Sequence, residues 1–420
     1  MTTSPDVAAL PSPITESDAE NHVAGTCFKT GPPGALGVEL EWLVHDGSDH
    51  HAPVPPARLD GVVSSARALA LRGAITTEPG GQLELSSAPA PSLDACLNQV
   101  GDDLSRLRAL ASTYGLRLSG LGLDPVREPS RLTTEPRYAA MERHFDRDGP
   151  HGRVMMCSTA AVQVCLEAGQ EHGHAGSAET RWRTLHALGP VLVAAFANSP
   201  LFRGRPTGWR STRLAVWWRI DPSRTHPPPD GPDPRESWAR YALDASVLAV
   251  RGNGSPWEVP PGLTFRDWLR GHGPRPATYQ DLDYHLTTLF PPVRPRGFLE
   301  VRFIDAQPAA GWAVATAVTA ALLDDPGAFD VAMEATAPVR GRWLAAARHG
   351  LTDPTLATAA RTCFDAALSG LERLGVSASV RRQVDDYADR YVSAGRCPAD
   401  DLLDAWARGR VPIGEEIMAC

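Results

Sequence analysis

Four stretches of this chain repeat one pattern, an apolar face backed by a face of acids and amides, and that pattern constrains the fold more than any other feature. In "GVELEWLVHD", from Gly37, Val38, Leu40, Trp42 and Val44 alternate with Glu39, Glu41, Leu43 and His45. This is the period-2 signature of a strand packed on one side. At a rise of about 3.3 Å per residue the Cα atoms of Glu39 and Glu41 stand roughly 7 Å apart, so both carboxylates can reach one cation or a pair of cations. A single such strand, taken by itself, reads first as an antiparallel strand with a solvated face.

The anomaly recurs. In "EPGGQLELSSAP" a turn at Pro79-Gly80-Gly81 leads into a strand with Leu83 and Leu85 on one side and Gln82, Glu84 and Ser86 on the other. "TAAVQVCLE" sets Val162, Val164 and Leu166 against Gln163, Cys165 and Glu167, and "GFLEVRFIDA" sets Leu299, Val301 and Phe303 against Glu300, Arg302 and Ile304. Carboxylates gathered on one face repel and raise each other's pKa unless cations bridge them. Hard oxygen ligands select Mg²⁺ or Mn²⁺, ions that also hold phosphate oxygens. A metal–nucleotide cleft is the reading these faces favour together, with Arg302 placed to neutralise a transferring phosphoryl group. Taken alone, Glu300 and Arg302 read first as a solvated face or an internal salt bridge.

Composition narrows the chemistry. Lys29 is the only lysine, so nearly all 41 basic residues are arginine. A P-loop, a Schiff base and a kinase-type mechanism each need a placed lysine, and these routes are nearly closed. A net charge of −8 and a pI near 5.9 lack the basic footprint of a nucleic-acid binder. The seven cysteines are odd in number and form no C-x-x-C pair, which argues against a disulfide framework or zinc finger. The N-terminal stretch has no signal-peptide pattern and no later run is long and apolar enough to span a membrane, so a cytoplasmic protein with no membrane or nucleic-acid partner is expected.

Helical periodicity appears from Ser92, an expected N-cap, and again near 179–197, 310–324, 330–348 and 355–373. Strands are expected at 37–45, 82–86, 117–122, 161–167, 214–220 and 298–304, and loops at 46–58 and 221–235, the second long enough for a lid or insertion. This mixture without regular βαβ alternation predicts an α+β fold with an antiparallel sheet. Residues 1–30 are read as a tail leading into a helix, and 31–420 as one catalytic domain.

With "PRYAAMERHF", "ANSP", "STRLAVWW", "DYHLTTLFPPVRPRGFLEVRFIDA" and "GRCPADD" added to the strands above, the chain resembles the glutamate–cysteine ligases of the carboxylate–amine ligase family, in particular their actinobacterial branch, which opens ergothioneine biosynthesis. The resemblance implies a glutamine-synthetase-like fold with an antiparallel half-barrel sheet lining the active site and helices on its outer face. It implies ATP-dependent joining of the L-glutamate γ-carboxylate to L-cysteine through a γ-glutamyl phosphate, giving γ-glutamylcysteine. By the same likeness Glu39, Glu41, Glu84 and Glu300 match magnesium ligands, Gln163 lies beside the metals, and Arg302 meets the γ-phosphate. Arg137, Tyr138, Ser211 and Arg213 match segments near the glutamate site. Cys165 stands where the family pattern has Asn, which puts an amide contact there in doubt, and Pro292 stands where plant relatives have an acid. His50, His51, His172 and His174 lie in polar loops without metal-ligand spacing and are read as solvated. Trp217 and Trp218 are read as core, with one of them a candidate wall of the cleft.

Overall fold

The computed structural model describes residues 14–29, 34–170, 176–252, 257 and 259–410. Nine strands are formed among them. β1 (Leu36–Asp46), β2 (Ala74–Thr77), β3 (Leu83–Ser86), β4 (Leu116–Ser119), β5 (Ala161–Glu167), β8 (Val293–Pro295) and β9 (Phe298–Asp305) make one sheet, while β6 (Leu201–Phe202) and β7 (Arg205–Pro206) form a small separate hairpin. The sheet runs β2-β3-β1-β5-β9-β8 with β4 also paired to β1, and every pairing is antiparallel.

The expected alternation is what closes this sheet. Val38, Leu40, Trp42, Leu83, Leu85, Val162, Val164, Leu166, Leu299, Val301 and Phe303 are all buried in one continuous core. Helices Leu93–Thr113, Ala178–Ala195 and Gly311–Asp324 cover that face. Each buried Leu or Val removes its side chain from water for about 1.5–3 kcal/mol, so the apolar face fixes which way every acid must point. Ser92 and Ser177 accept from the backbone N–H of Ala95 and Thr180 and start two of these helices as N-caps.

Three expectations need correction. The strand expected at 214–220 is the helix Thr212–Trp217, capped by Ser211, whose hydroxyl accepts from Leu214 N. A short apolar run such as "LAVWW" has no periodicity that separates strand from helix, and the cap decides. The single helix expected at 330–348 is two, Pro326–Thr336 and Trp343–His349, separated by Pro338 and by Gly341 at φ +73°. The stretch 221–235 is loop over 226–233, as expected, but it opens with a short helix, Pro222–Thr225, packed into the body. Arg224 is fully buried, donates from Nε to Asp221 Oδ2 at 2.8 Å and from Nη1 to the Thr288 carbonyl at 2.8 Å.

Within the stretch expected as a tail, Glu16–Cys27 forms a helix. Its Ala19, Val23 and Cys27 are buried against the helix Pro234–Asp244 side of the core, which ties that half of the segment to the body.

Candidate active site

Register converts the four polar faces into one cleft. Glu41 pairs with Glu84 across β1 and β3, Glu39 pairs with Gln163 across β1 and β5, and Cys165 pairs with Glu300 across β5 and β9. The β5–β9 register shifts between Val162 and Val164, a bulge at Gln163. The cleft above these residues has a volume of about 400 Å³ and is walled on its other side by Arg137, Tyr138, Met141, Met155, Met156, Trp217 and Phe290.

Its floor is crowded with acid. Burial pushes the Glu39 carboxyl up to about 7, and Glu300 and Glu84 add to the rise. Glu41 is raised to about 8 by burial together with Glu78 and Glu84. Glu78, which the strand pattern did not single out, lines the cleft and is raised to about 7 by burial and by Glu84. It precedes a tight hairpin turn: Glu78 N donates to Gln82 O at 2.8 Å and Gly81 N to Glu78 O at 2.9 Å, which folds Glu78 back toward Glu84. Period-2 counting stops at such a turn, and the available signal was an acid placed just before Pro-Gly-Gly. Carboxylates crowded and desolvated in this way hold their protons more tightly unless positive charge stands beside them.

Arginine occupies the other end. Glu300 is fully buried, and its Oε2 accepts from Arg294 Nε at 2.7 Å and Arg302 Nη1 at 2.7 Å, while Oε1 accepts from Arg294 Nη2 at 3.1 Å and Arg296 Nη1 at 3.3 Å. Burial alone would raise this carboxyl, but Arg294 and Arg302 hold it well below the usual carboxylate range. All the acceptor positions of Glu300 are thereby filled. Arg294 and Arg296, like Glu78, escaped the pattern because they lie on the short β8 and the turn after it. Arg302 also donates from Nη1 to Gln163 Oε1, and its buried Nε–H has no partner.

The remaining expected residues divide. Arg137 and Tyr138 line the cleft, with Arg137 held by Thr287 through Oγ1 and the carbonyl, each at 2.9 Å. Ser211 does not line it: its hydroxyl donates to Asp305 Oδ1 at 2.9 Å and caps the 212–217 helix. Arg213 lies behind the wall, donating to the Arg302 carbonyl at 2.8 Å with its guanidinium 5.5 Å from the centre of the Trp217 ring. Of the two tryptophans, Trp217 walls the cleft. His50 and His51 lie outside it, and His172 and His174 fall outside the described residues. Cys165 is half-buried with its sulfur within 4.8 Å of carboxylate oxygens of Glu39 and Glu300. Burial and those two acids raise its thiol well above the ordinary value, so it stays protonated.

A model of glutamate–cysteine ligase family 2 matches residues 35–418, which is most of the chain. The chain belongs to the glutamate–cysteine ligase family. Relatives of this ligase include the glutamate–cysteine ligase EgtA of Mycobacterium tuberculosis, 39% identical over 408 residues that span 95% of this chain and 92% of the relative. The EgtA of Mycolicibacterium smegmatis is 42% identical over 406 residues, 92% of this chain and 94% of the relative. The chloroplastic glutamate–cysteine ligase of Arabidopsis thaliana is 32% identical over 372 residues, 82% of this chain and 69% of that protein.

Among solved structures, a glutamate–cysteine ligase of Francisella tularensis in complex with AMP superposes with a TM-score of 0.54 over 93% of this ligase and 87% of that chain, at 14% identity. A bifunctional glutathione synthetase of Pasteurella multocida gives 0.50 over 97% of this ligase and 54% of that chain, also at 14% identity. At that identity they speak for the fold, an α+β ligase fold with an antiparallel sheet and packed helices, as expected from the sequence. Among the described residues no helix of the ligase is long and apolar enough to cross a membrane.

Proposed function

We propose that this chain is an ATP-dependent glutamate–cysteine ligase that joins the γ-carboxylate of L-glutamate to the amine of L-cysteine and releases ADP and phosphate, as the first step of ergothioneine biosynthesis in the cytoplasm. The observation that carries this reading is the cleft itself: four carboxylates facing one arginine-backed wall, on the sheet of a glutamate–cysteine ligase family member.

The donor set fits magnesium. Glu39, Glu41 and Glu84, with Glu78 beside them, offer hard oxygens, and the raised proton affinities of Glu39, Glu41 and Glu78 mark missing positive charge. Glu300 lies within reach of a cation shared with Glu39 once an incoming anion draws Arg302 away from it. Magnesium bound by these residues would neutralise the carboxylates and screen phosphate oxygens. Mn²⁺ suits the same donors.

The protein's own groups supply the rest. Arg302, steadied by Gln163 and carrying an unpartnered Nε–H, faces the charge that develops on the transferring phosphoryl group. Phosphorylation makes the glutamate γ-carboxylate an acyl phosphate, and attack by the cysteine amine then expels phosphate and forms the amide. Arg137 presents a cation to a substrate carboxylate from the opposite wall. Gln163 remains beside the metal ligands through its bond to Glu41.

The test is ADP release by the purified protein with ATP, Mg²⁺ and L-glutamate, with and without L-cysteine, and the product identified by mass. Cysteine-dependent ADP with a γ-glutamylcysteine mass is the expected result. ADP formed with other amines in place of cysteine would redirect the acceptor assignment.

A further inference from the structure

The segments "ANSP" and "STR" converge on a single buried carboxylate, and neither touches the cleft. Asp305, at the C-terminal end of β9, is almost fully buried. Its Oδ2 accepts from Asn198 N at 2.9 Å and from Ser199 Oγ at 2.7 Å, and its Oδ1 accepts from Ser211 Oγ at 2.9 Å. Arg213 Nη1 stands 3.9 Å from the same Oδ1.

Each partner hands the constraint on. Ser199 Oγ accepts from Arg213 N at 3.1 Å, and Ser211 caps the 212–217 helix. Arg213 in turn donates to the carbonyl of Arg302, and the guanidinium carbons of both arginines lie within 6.0 Å of the centre of the Trp217 ring. Asp305 therefore ties the strand that carries Arg302 to the helix that carries the Trp217 wall. Gly122 makes room for it: a Cβ there would come within 2.6 Å of Asp305 Cγ.

We propose that Asp305 is a positioning residue for the ligation reaction, setting Trp217 and Arg213 against Arg302 without touching substrate. This rests on the functional reading above, because Arg302 matters for rate only where a phosphoryl group is transferred. An isolated buried carboxylate that merely glued loops together would affect stability alone. Here the glue joins the two elements that flank the phosphoryl-transfer arginine, where a shift of about 1 Å is worth about 100-fold in rate.

The experiment compares wild type, Asp305→Asn, Ser211→Ala and the double variant for steady-state kinetics, thermal melting and backbone hydrogen exchange. Asp305→Asn keeps the shape but turns one acceptor oxygen into a donor and removes the charge facing Arg213. The expected result is a kcat lowered about 100-fold with KM for ATP within threefold, and faster exchange confined to residues 212–217. The double variant should fall no further in kcat than Asp305→Asn alone, since the two act as one unit. Should Asp305→Asn fail to fold, Gly122→Ala, which displaces the carboxylate without changing it, must give the same kinetic signature. A kcat within threefold of wild type, multiplicative losses in the double variant, or unchanged exchange at 212–217 would each overturn the assignment. If the wild type does not ligate glutamate to cysteine, the functional reading fails, and the exchange data alone decide whether Asp305 holds the helix.

Discussion

Gln163 Nε2 donates to Glu41 Oε1 at 2.7 Å while Gln163 Oε1 accepts from Arg302, so one amide spans the acidic and the basic halves of the cleft. Neither half can relax without the other. Replacing Gln163 by Leu strips a donor from a raised carboxylate and an acceptor from a buried guanidinium, and each hydrogen bond to a charged group is worth about 1.5–3 kcal/mol. The expected outcome is a kcat reduced about 10- to 100-fold together with a lowered melting temperature, read by coupled ADP release and by thermal melting.

Two of the acids should part company when neutralised. Glu300 is fully buried among Arg294, Arg296 and Arg302, so Glu300→Gln leaves desolvated cations without their counter-charge. That variant is expected to lose about 3 kcal/mol of stability as well as activity. Glu84 is only half-buried and accepts from Thr76 Oγ1 and Ser86 Oγ, both able to serve a glutamine. Glu84→Gln should lose activity and keep its fold, and urea titration of both proteins separates the two roles.

The sheet and its acidic front were legible because burial of Val38, Leu40, Leu83, Leu85, Val162, Val164, Leu299 and Val301 on one side leaves the intervening residues one direction to point. What escaped the pattern lay where that rule lapses. Glu78 enters the cleft through a hairpin turn, Arg294 sits on a three-residue strand, and "LAVWW" was too short for its period to show a helix. Ser211 looked like a cleft residue, but its hydroxyl serves a buried carboxylate that no local pattern announces. Long-range hydrogen bonds of this kind join residues nearly a hundred positions apart, and sequence spacing carries no record of them.

His285 supplies a pH dependence remote from the cleft. Burial, with Arg224 nearby, pushes its imidazole down to about 3 from 6.5, against the opposing pull of the Ala242 carbonyl and Asp221. Its Nε2 lies 2.8 Å from the Ala242 carbonyl, so the neutral ring donates there, packed against Phe265. The folded pKa is the lower one, so the contribution is fully present above pH 6.5 and drains away as pH falls from 6.5 toward 3. By pH 4 it has cost about 3 kcal/mol. His285→Gln, which can keep the donor, should flatten the fall in melting temperature between pH 6.5 and 4; an unchanged slope would remove His285 from the account.

Gly80 is where the acidic hairpin meets the helix that precedes β5. A Cβ at that position would lie 2.1 Å from the carbonyl oxygen of Cys157 and 2.5 Å from its Cα, backbone atoms that cannot swing aside. Its N–H donates to Gln82 Oε1 at 3.0 Å, and the Gln82 amide donates to the Thr159 carbonyl at 2.9 Å, so the turn is bolted to the start of β5 on both sides. Gly80→Ala must therefore push the turn away from Cys157, and Glu78 and Glu84 at its two ends move with it. The expected result is an overpacking penalty of about 1–3 kcal/mol together with weakened magnesium affinity, seen as a rise in the Mg²⁺ concentration needed for half-maximal ADP release. Gly101→Ala, on a helix with nothing within 4 Å of the added carbon, should do neither, and a comparable loss there would show that the effect at Gly80 is not specific to the turn.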